Sequence, residues 1–184
     1  MNIANFLTFL RIIMVPFFMF FLNQNEQNQL NYIIALSIFI LASITDFFDG
    51  FIARKKNIIT NIGKFLDPLA DKILTTAAYL CFLKLDLVNI YIVFIILTRE
   101  FLVFLIRLLA SKENIVIAAN IFGKIKTVSQ IIACILTIFY LIFKHKNLYI
   151  IYNISIYIST FLTAISGFLY ILQNKKLLIS TNKN

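Results

Sequence analysis

The sequence predicts an all-α integral membrane protein that folds as a six-transmembrane-helix bundle. Of its 184 residues, 61% are hydrophobic, and the mean hydropathy of +0.91 is too high for a soluble domain of this length. Several apolar stretches reach the roughly 20 residues that a helix needs to cross a bilayer. These stretches are too long and too uniformly apolar for the strands of a membrane barrel. We expect a single membrane-embedded domain over residues 1–184.

Six apolar stretches give the candidate helices. They lie at about 6–23, 30–53, 66–84, 88–110, 116–143 and 148–173. The first carries Arg11 within its apolar run and precedes no small-residue cleavage site, so we expect a retained span rather than a removed signal peptide. The second ends and the third begins in a segment that contains four aspartates. The fourth holds Arg99 and Glu100 near its middle, and a polar break at His145 separates the fifth from the sixth.

Basic residues lie mainly in alternate connections, which predicts the orientation of the chain in the membrane. One side would carry Arg54, Lys55, Lys56, Lys64, Lys112, Lys175, Lys176 and Lys183, and the other Lys84, Lys144 and Lys146. Cytoplasmic loops of membrane proteins are enriched in Lys and Arg. We therefore predict a protein of the cell membrane with both termini and the aspartate-rich segment on the cytoplasmic side.

The composition also narrows the possible chemistry. The net charge of +9 favours anionic lipid and phosphate ligands over nucleic acid, because the basic residues are scattered among the spans. Cys81 and Cys134 lie in apolar stretches and are expected to be buried free thiols. His145 is the only histidine, which excludes most mechanisms that use histidine as a ligand, base or nucleophile.

Four aspartates lie where the second and third predicted helices meet. Asp46 and Asp49 share a face at the end of the second helix, and Asp67 and Asp71 lie at the start of the third, where Pro68 suits a first turn. Four such carboxylates would repel one another unless cations or protons compensate them. Oxygen ligands without histidine or cysteine suit Mg²⁺ or Mn²⁺. We therefore predict two divalent cations that clamp a phosphoryl group, with one carboxylate free to act as a base.

Residues beside the aspartates fit a phosphate ligand. Gly50 would let a bulky ligand approach the backbone, Gly63 would permit a close helix approach or a tight turn, and the planar guanidinium of Arg54 suits a phosphate oxygen. Taken singly, such an aspartate could be a helix cap or a solvated interface residue, and such an arginine a snorkelling topology signal. The whole set favours a ligand site.

The segment TDFFDGFIARKKNIITNIGKFLDPLADK, residues 45–72, resembles the signature of the CDP-alcohol phosphatidyltransferases without a departure. The matching positions are Asp46, Asp49, Gly50, Ala53, Arg54, Gly63, Asp67 and Asp71. This resemblance implies a six-helix membrane enzyme, typically a homodimer, in which an alcohol displaces CMP from a CDP-linked lipid. It also implies that all four aspartates bind the metal ions and that Asp71 takes the proton of the attacking hydroxyl. The implied contacts to CDP-diacylglycerol are Asn5, Thr8, Gly50, Arg54 and Thr60.

Three further stretches are similar to the family members that use glycerol 3-phosphate as the acceptor. They are NFLTFLRIIMVPFF, LTREFLVFLIR and GKIKTVSQ. The implied reaction converts CDP-diacylglycerol and sn-glycerol 3-phosphate to phosphatidylglycerophosphate and CMP. Other acceptors within the family, as in a cardiolipin synthase or a phosphatidylinositol phosphate synthase, remain alternatives. A small cation transporter is a more remote one, because its carboxylates would be expected near the bilayer midplane.

Glycerol 3-phosphate is a dianion and needs a basic pocket of its own. Arg99 and Arg107 are eight residues apart and lie near one face of the fourth helix, and Lys124 and Lys126 begin the fifth. Arg99 is expected to face the bundle interior, because an unpaired charge in mid-span is costly. As alternatives, Arg99 could form a structural ion pair with a carboxylate of a neighbouring helix, and the two lysines could snorkel to the membrane surface.

Overall fold

A computed structural model describes the backbone of residues 3–24, 28–56, 61–112 and 121–175, and the side chains of residues 8–24, 28–45, 72–111 and 121–175. These residues form six α-helices and no strand, which confirms the predicted all-helical fold. The helices are α1 Ile3–Asn23, α2 Gln29–Lys56, α3 Asn61–Lys84, α4 Ile90–Lys112, α5 Ile121–Phe143 and α6 Lys146–Gln173.

The start of α3 differs from the prediction. The helix begins at Asn61 rather than near residue 66, so Asp67, Pro68 and Asp71 lie inside α3 and not in its first turn. The later start was predicted from Pro68, because proline lacks a backbone N–H and is over-represented at the first position of a helix. Membrane helices tolerate internal prolines where neighbouring groups satisfy the freed carbonyl, and α1 likewise contains Pro16 in its interior.

Two connections reverse the chain within a few residues. Between α3 and α4, Asp86 adopts a φ of 55°, a left-handed conformation that aspartate tolerates better than most residues. Between α5 and α6, Lys144 adopts a φ of 48°, and His145 caps α6 by accepting a hydrogen bond from the backbone N–H of Asn147 at 3.2 Å. The predicted start of the fifth helix, near residue 116, lies outside the described residues.

The helices pack in two groups that share one core. α1 packs against α2 and α3, while α6 packs against α5 and α4, and α2 meets α5 between the groups. Phe18 of α1 and Phe39 of α2 are fully buried with their ring centroids 5.6 Å apart. Cys81 and Cys134 are both buried and free, as predicted. The packing brings α4, α5 and α6 together around a polar interior.

Large apolar side chains cover much of the outer surface. Examples with more than half of their area exposed are Phe17, Phe94, Phe101, Phe161 and Phe168. Exposed rings in such number suit contact with lipid, because soluble monomers rarely expose large contiguous apolar patches. Two of the described helices, α5 and α6, are long and apolar enough to cross a membrane.

Candidate active site

A cavity of about 500 Å³ opens among α4, α5 and α6 and extends to α2 and α3. Its charged lining residues are Lys72, Arg99, Glu100, Arg107, Lys124 and Lys126. All four basic residues that the sequence predicted for an acceptor phosphate therefore lie around one cavity. Among the described lining residues, five cationic side chains accompany one carboxylate, so this part of the cavity is suited to an anion.

Arg99 lies inside the bundle, as expected for a charged residue in mid-helix. Its side chain is only 10% exposed. Nη1 donates to Glu100 Oε1 at 3.2 Å, and Nη2 donates to Ser166 Oγ of α6 at 2.8 Å. Among the described residues, its buried Nε finds no acceptor. A buried donor without an acceptor costs on the order of 1–3 kcal/mol, so this N–H is available to an anionic ligand.

Glu100 connects three helices through its carboxylate. It contacts Arg99 within α4, accepts a hydrogen bond from Lys126 of α5, and lies 3.6 Å from Lys72 Nζ of α3. A buried carboxylate is tolerated when cations surround it, and here three do so. The alternative of an ion pair for Arg99 is thus partly realised, although the carboxylate belongs to the same helix.

The sequence placed Glu100 beside Arg99 but assigned it no role at the site. The available signal was its position, since a carboxylate in the middle of an apolar span needs a partner. Its partners Lys72 and Lys126 lie on other helices, and only the packed structure identifies them.

The remaining basic residues occupy different depths. Lys126 is buried and bonded to Glu100, which contradicts the alternative that it snorkels to the surface, whereas Lys124 is exposed. Arg107 is also exposed, and its Nε donates to Tyr170 Oη of α6 at 3.4 Å. The Arg107 guanidinium carbon lies 6.0 Å from the centre of the Tyr170 ring, at the limit of a cation–π contact.

The cavity reaches the two helices that carry the four aspartates. The backbones of Asp46 and Asp49 lie in α2, and those of Asp67 and Asp71 lie in α3, while their side chains are outside the described ones. The cavity lining reaches α2 at Ser43 and α3 at Lys72 and Thr75. Ser43 is three residues before Asp46, and Lys72 directly follows Asp71. The described lining of the cavity therefore comes within one helical turn of Asp46 and Asp71 along the chain.

The predicted nucleotide contacts are described only in part. Gly50 and Arg54 belong to α2 and Asn5 to α1, but nothing beyond their backbone is described, and Thr60 lies outside the described residues. Thr8 of α1 is fully buried.

One buried arginine was not predicted as part of the site. Arg11 is 1% exposed, and its Nε donates to the carbonyl oxygen of Ala42 at 3.3 Å, which also accepts from Thr45 Oγ1 at 2.8 Å. Ala42 is one turn before Asp46 on α2. Arg11 thus connects α1 to the part of α2 that precedes the aspartates. In the sequence, Arg11 indicated only a retained first span.

The sequence of this chain is similar to a known protein family and to several named proteins. The family model of the CDP-alcohol phosphatidyltransferases matches residues 1–172. A Bacillus subtilis protein named CDP-diacylglycerol–glycerol-3-phosphate 3-phosphatidyltransferase is 35% identical over 191 aligned residues, covering 98% of this chain and 99% of that protein. A Rickettsia typhi protein of the same name is 38% identical over 176 residues, covering 92% and 94%.

A third relative carries a different name. A Mycobacterium tuberculosis protein, named as a probable phosphatidylglycerophosphate synthase, is 39% identical over 133 residues, covering 72% of this chain and 63% of that protein. The range that the family model matches includes the four aspartates and all the charged residues of the cavity.

Proposed function

Because this chain belongs to the CDP-alcohol phosphatidyltransferase family, we propose that it transfers the phosphatidyl group of CDP-diacylglycerol to sn-glycerol 3-phosphate. The products are phosphatidylglycerophosphate and CMP, as in phosphatidylglycerol and cardiolipin biosynthesis. The names of the relatives support these substrates. The observation that carries the proposal is the cavity, where Arg99, Arg107 and Lys126 surround a space that extends toward the aspartate segment.

The acceptor phosphate binds in this cavity. A guanidinium presents its N–H groups as a planar fork that matches phosphate oxygens, and one buried N–H of Arg99 has no acceptor among the described residues. Arg107 and Lys126 supply further donors, and the exposed Lys124 attracts the dianion at the entrance. This arrangement leaves the glycerol end of the acceptor to point toward α3, on which Asp71 lies.

The four aspartates form the proposed metal site. Their chemistry suits two Mg²⁺ or Mn²⁺ ions, since it offers only carboxylate oxygens from two adjoining helices. The ligands would be Asp46, Asp49, Asp67 and Asp71. When bound, the ions supply positive charge that stabilises the pyrophosphate and the charge developing at phosphorus.

The chain's own residues perform the remaining steps. Gly50, Arg54 and Thr60, with Asn5 and Thr8, hold the CDP part of the donor lipid. Asp71 accepts the proton of the acceptor hydroxyl as its oxygen forms a bond to the phosphorus next to diacylglycerol. The bond from that phosphorus to the CMP oxygen breaks, and CMP leaves.

We further propose that all six helices span the membrane, in a homodimer whose termini and active site face the cytoplasm. The shortest helix, α1, has 21 residues, and at about 1.5 Å per residue it is roughly 31 Å long, which matches the hydrocarbon core of a bilayer. The distribution of Lys and Arg supports the orientation. The single membrane-embedded domain over residues 1–184 and the homodimer follow the resemblance to the family.

Other functions fit the cavity less well. A cation transporter would conduct ions past Arg99, Arg107 and Lys126, whose charges repel a cation. A cardiolipin synthase or a phosphatidylinositol phosphate synthase would use the same aspartates with a different acceptor, and the names of the relatives favour glycerol 3-phosphate.

The test compares acceptors directly. The purified protein in detergent is supplied with CDP-diacylglycerol and Mg²⁺, and CMP release is measured with glycerol 3-phosphate, inositol phosphate or phosphatidylglycerol. Release only with glycerol 3-phosphate is the expected result. Release with another acceptor alone would reassign the substrate, and no release with any acceptor would refute the transferase activity.

A further inference from the structure

We infer that α6 orients the two arginines of the acceptor pocket through a surface formed by Ser166, Gly167 and Tyr170, which we name the α6 seat. Ser166 and Tyr170 contact Arg99 and Arg107, and Gly167 leaves the space that Arg99 occupies. The inference rests on the proposed function, because it assigns these residues a role in binding the acceptor phosphate. They act as positioning residues and need not touch the substrate.

Gly167 leaves space for Cβ and Cγ of the Arg99 side chain. A Cβ atom at position 167 would lie 2.8 Å from Cγ of Arg99 and 3.6 Å from its Cβ. The first distance is shorter than carbon atoms adopt without displacement. Because Cγ lies near the backbone, it cannot move aside as the far end of the side chain could. Only glycine therefore allows α4 and α6 to approach with Arg99 between them.

Ser166 holds the tip of the same side chain. Its buried Oγ accepts a hydrogen bond from Nη2 of Arg99 at 2.8 Å, while Glu100 accepts from Nη1. Neighbouring groups thus hold both ends of the Arg99 side chain: Gly167 packs against Cβ and Cγ, and hydrogen bonds hold Nη1 and Nη2. Within the described part of the chain, Nε is the one buried donor of Arg99 without an acceptor, so a ligand can engage it.

Tyr170 extends the α6 seat by one helical turn. It contacts Arg107 both through its hydroxyl and through its ring. Arg99 and Arg107 are eight residues apart, or about 12 Å along α4, whereas Ser166 and Tyr170 are four residues apart, or about 6 Å along α6. One short stretch of α6 therefore contacts the guanidinium groups of both arginines, which we infer orients them toward the same phosphate.

The decisive variant is Gly167→Ala. The added methyl group displaces Arg99, and displacement of a positioned group by about 1 Å can weaken catalysis up to about 100-fold. We expect the KM for glycerol 3-phosphate to rise about tenfold or more, while the KM for CDP-diacylglycerol stays within about twofold. Alanine favours helix more than glycine does, so weakening of α6 itself would not explain the loss.

Three other variants complete the comparison. Ser166→Ala removes one hydrogen bond to a charged group and should raise the KM for glycerol 3-phosphate about tenfold without a steric change. In Gly123→Ala, the new Cβ would lie 3.7 Å from Nη2 of Arg99, an ordinary contact, so the increase should be clearly smaller than in Gly167→Ala. Phe168→Ala alters a ring of α6 that is 64% exposed and should leave both KM values unchanged.

Binding of inorganic phosphate provides a measurement that does not depend on turnover. Titration calorimetry on the full-length protein in detergent should give a dissociation constant about tenfold higher for Gly167→Ala and Ser166→Ala, with unfolding midpoints close to that of the unmodified protein. Unchanged phosphate binding in Ser166→Ala would overturn the role of the α6 seat, even if Gly167→Ala failed to fold. If the unmodified protein binds phosphate but releases no CMP with any acceptor, the proposed function fails separately from the α6 seat.

Discussion

Lys126 of α5 donates a hydrogen bond to the carboxylate of Glu100 on α4, and both side chains are buried between the two helices. The pair lies beside Arg99, whose Nη1 shares the same carboxylate oxygen. Because Lys72 approaches Glu100 from α3, this one carboxylate compensates cations from three helices at the edge of the cavity. The charge of Glu100 therefore partly neutralises the cations at this edge of the cavity.

Glu100→Gln should destabilise the protein. The change leaves Lys126 and Arg99 buried without their counter-charge, and removal of one partner from a buried ion pair costs on the order of 3 kcal/mol. We expect a lower midpoint of thermal unfolding in detergent. Glu100→Asp, which keeps the charge on a shorter side chain, should lose less stability. Equal midpoints for Glu100→Gln and the unmodified protein would show that the charge of Glu100 is not needed.

Asp71→Asn should abolish turnover and largely spare binding of CDP-diacylglycerol. The amide cannot accept the proton of the attacking hydroxyl, and loss of a general base costs about 10²- to 10⁴-fold in rate. The measurements are kcat for CMP release and binding of the donor lipid. The matched control is Asp86→Asn in the exposed α3–α4 turn, where asparagine tolerates the φ of 55°. Normal turnover in Asp71→Asn would remove the proposed base.

Arg107→Ala should mainly weaken the acceptor. A hydrogen bond to a charged group contributes about 1.5–3 kcal/mol, so the KM for glycerol 3-phosphate should rise roughly 10- to 100-fold. The KM for CDP-diacylglycerol should change little. Lys84→Ala, which alters an exposed lysine at the far end of α3, serves as the control. An unchanged KM for glycerol 3-phosphate in Arg107→Ala would place the phosphate elsewhere.

Chelation should stop the reaction reversibly. Removal of divalent ions with EDTA leaves four carboxylates on α2 and α3 without their proposed counter-charge, and we expect CMP release to cease. Addition of Mg²⁺ or Mn²⁺ should restore it. Asp67→Asn should raise the Mg²⁺ concentration needed for half-maximal activity. Full activity in EDTA would contradict the metal mechanism.

Much of the fold could be predicted from the sequence because apolar runs of about 20 residues are a local signal. The start of α3 could not, since a polar segment followed by Pro68 resembles the beginning of a helix. The α4 arginines were predictable because residues eight apart lie near the same face of a helix. Glu100 was not assigned a role, because its partners Lys72 and Lys126 come from other helices.

No sequence pattern indicated that α6 contacts the two arginines of the cavity. Ser166, Gly167 and Tyr170 are ordinary in an apolar helix, where small residues commonly permit close packing. Their importance depends on which face of α6 meets Arg99 and Arg107, and this is set by the packing of α6 against α4 and α5. Tertiary contacts of this kind are not encoded in the spacing of residues along a single helix.

The most direct measurement follows labelled sn-glycerol 3-phosphate into lipid. The purified protein is incubated with CDP-diacylglycerol, Mg²⁺ and the labelled acceptor, and both released CMP and extractable labelled lipid are quantified. The proposed function predicts phosphatidylglycerophosphate and CMP in equal amounts, with neither formed by Asp71→Asn. CMP release without labelled lipid, or labelled lipid without CMP, would contradict the transfer of the phosphatidyl group to glycerol 3-phosphate.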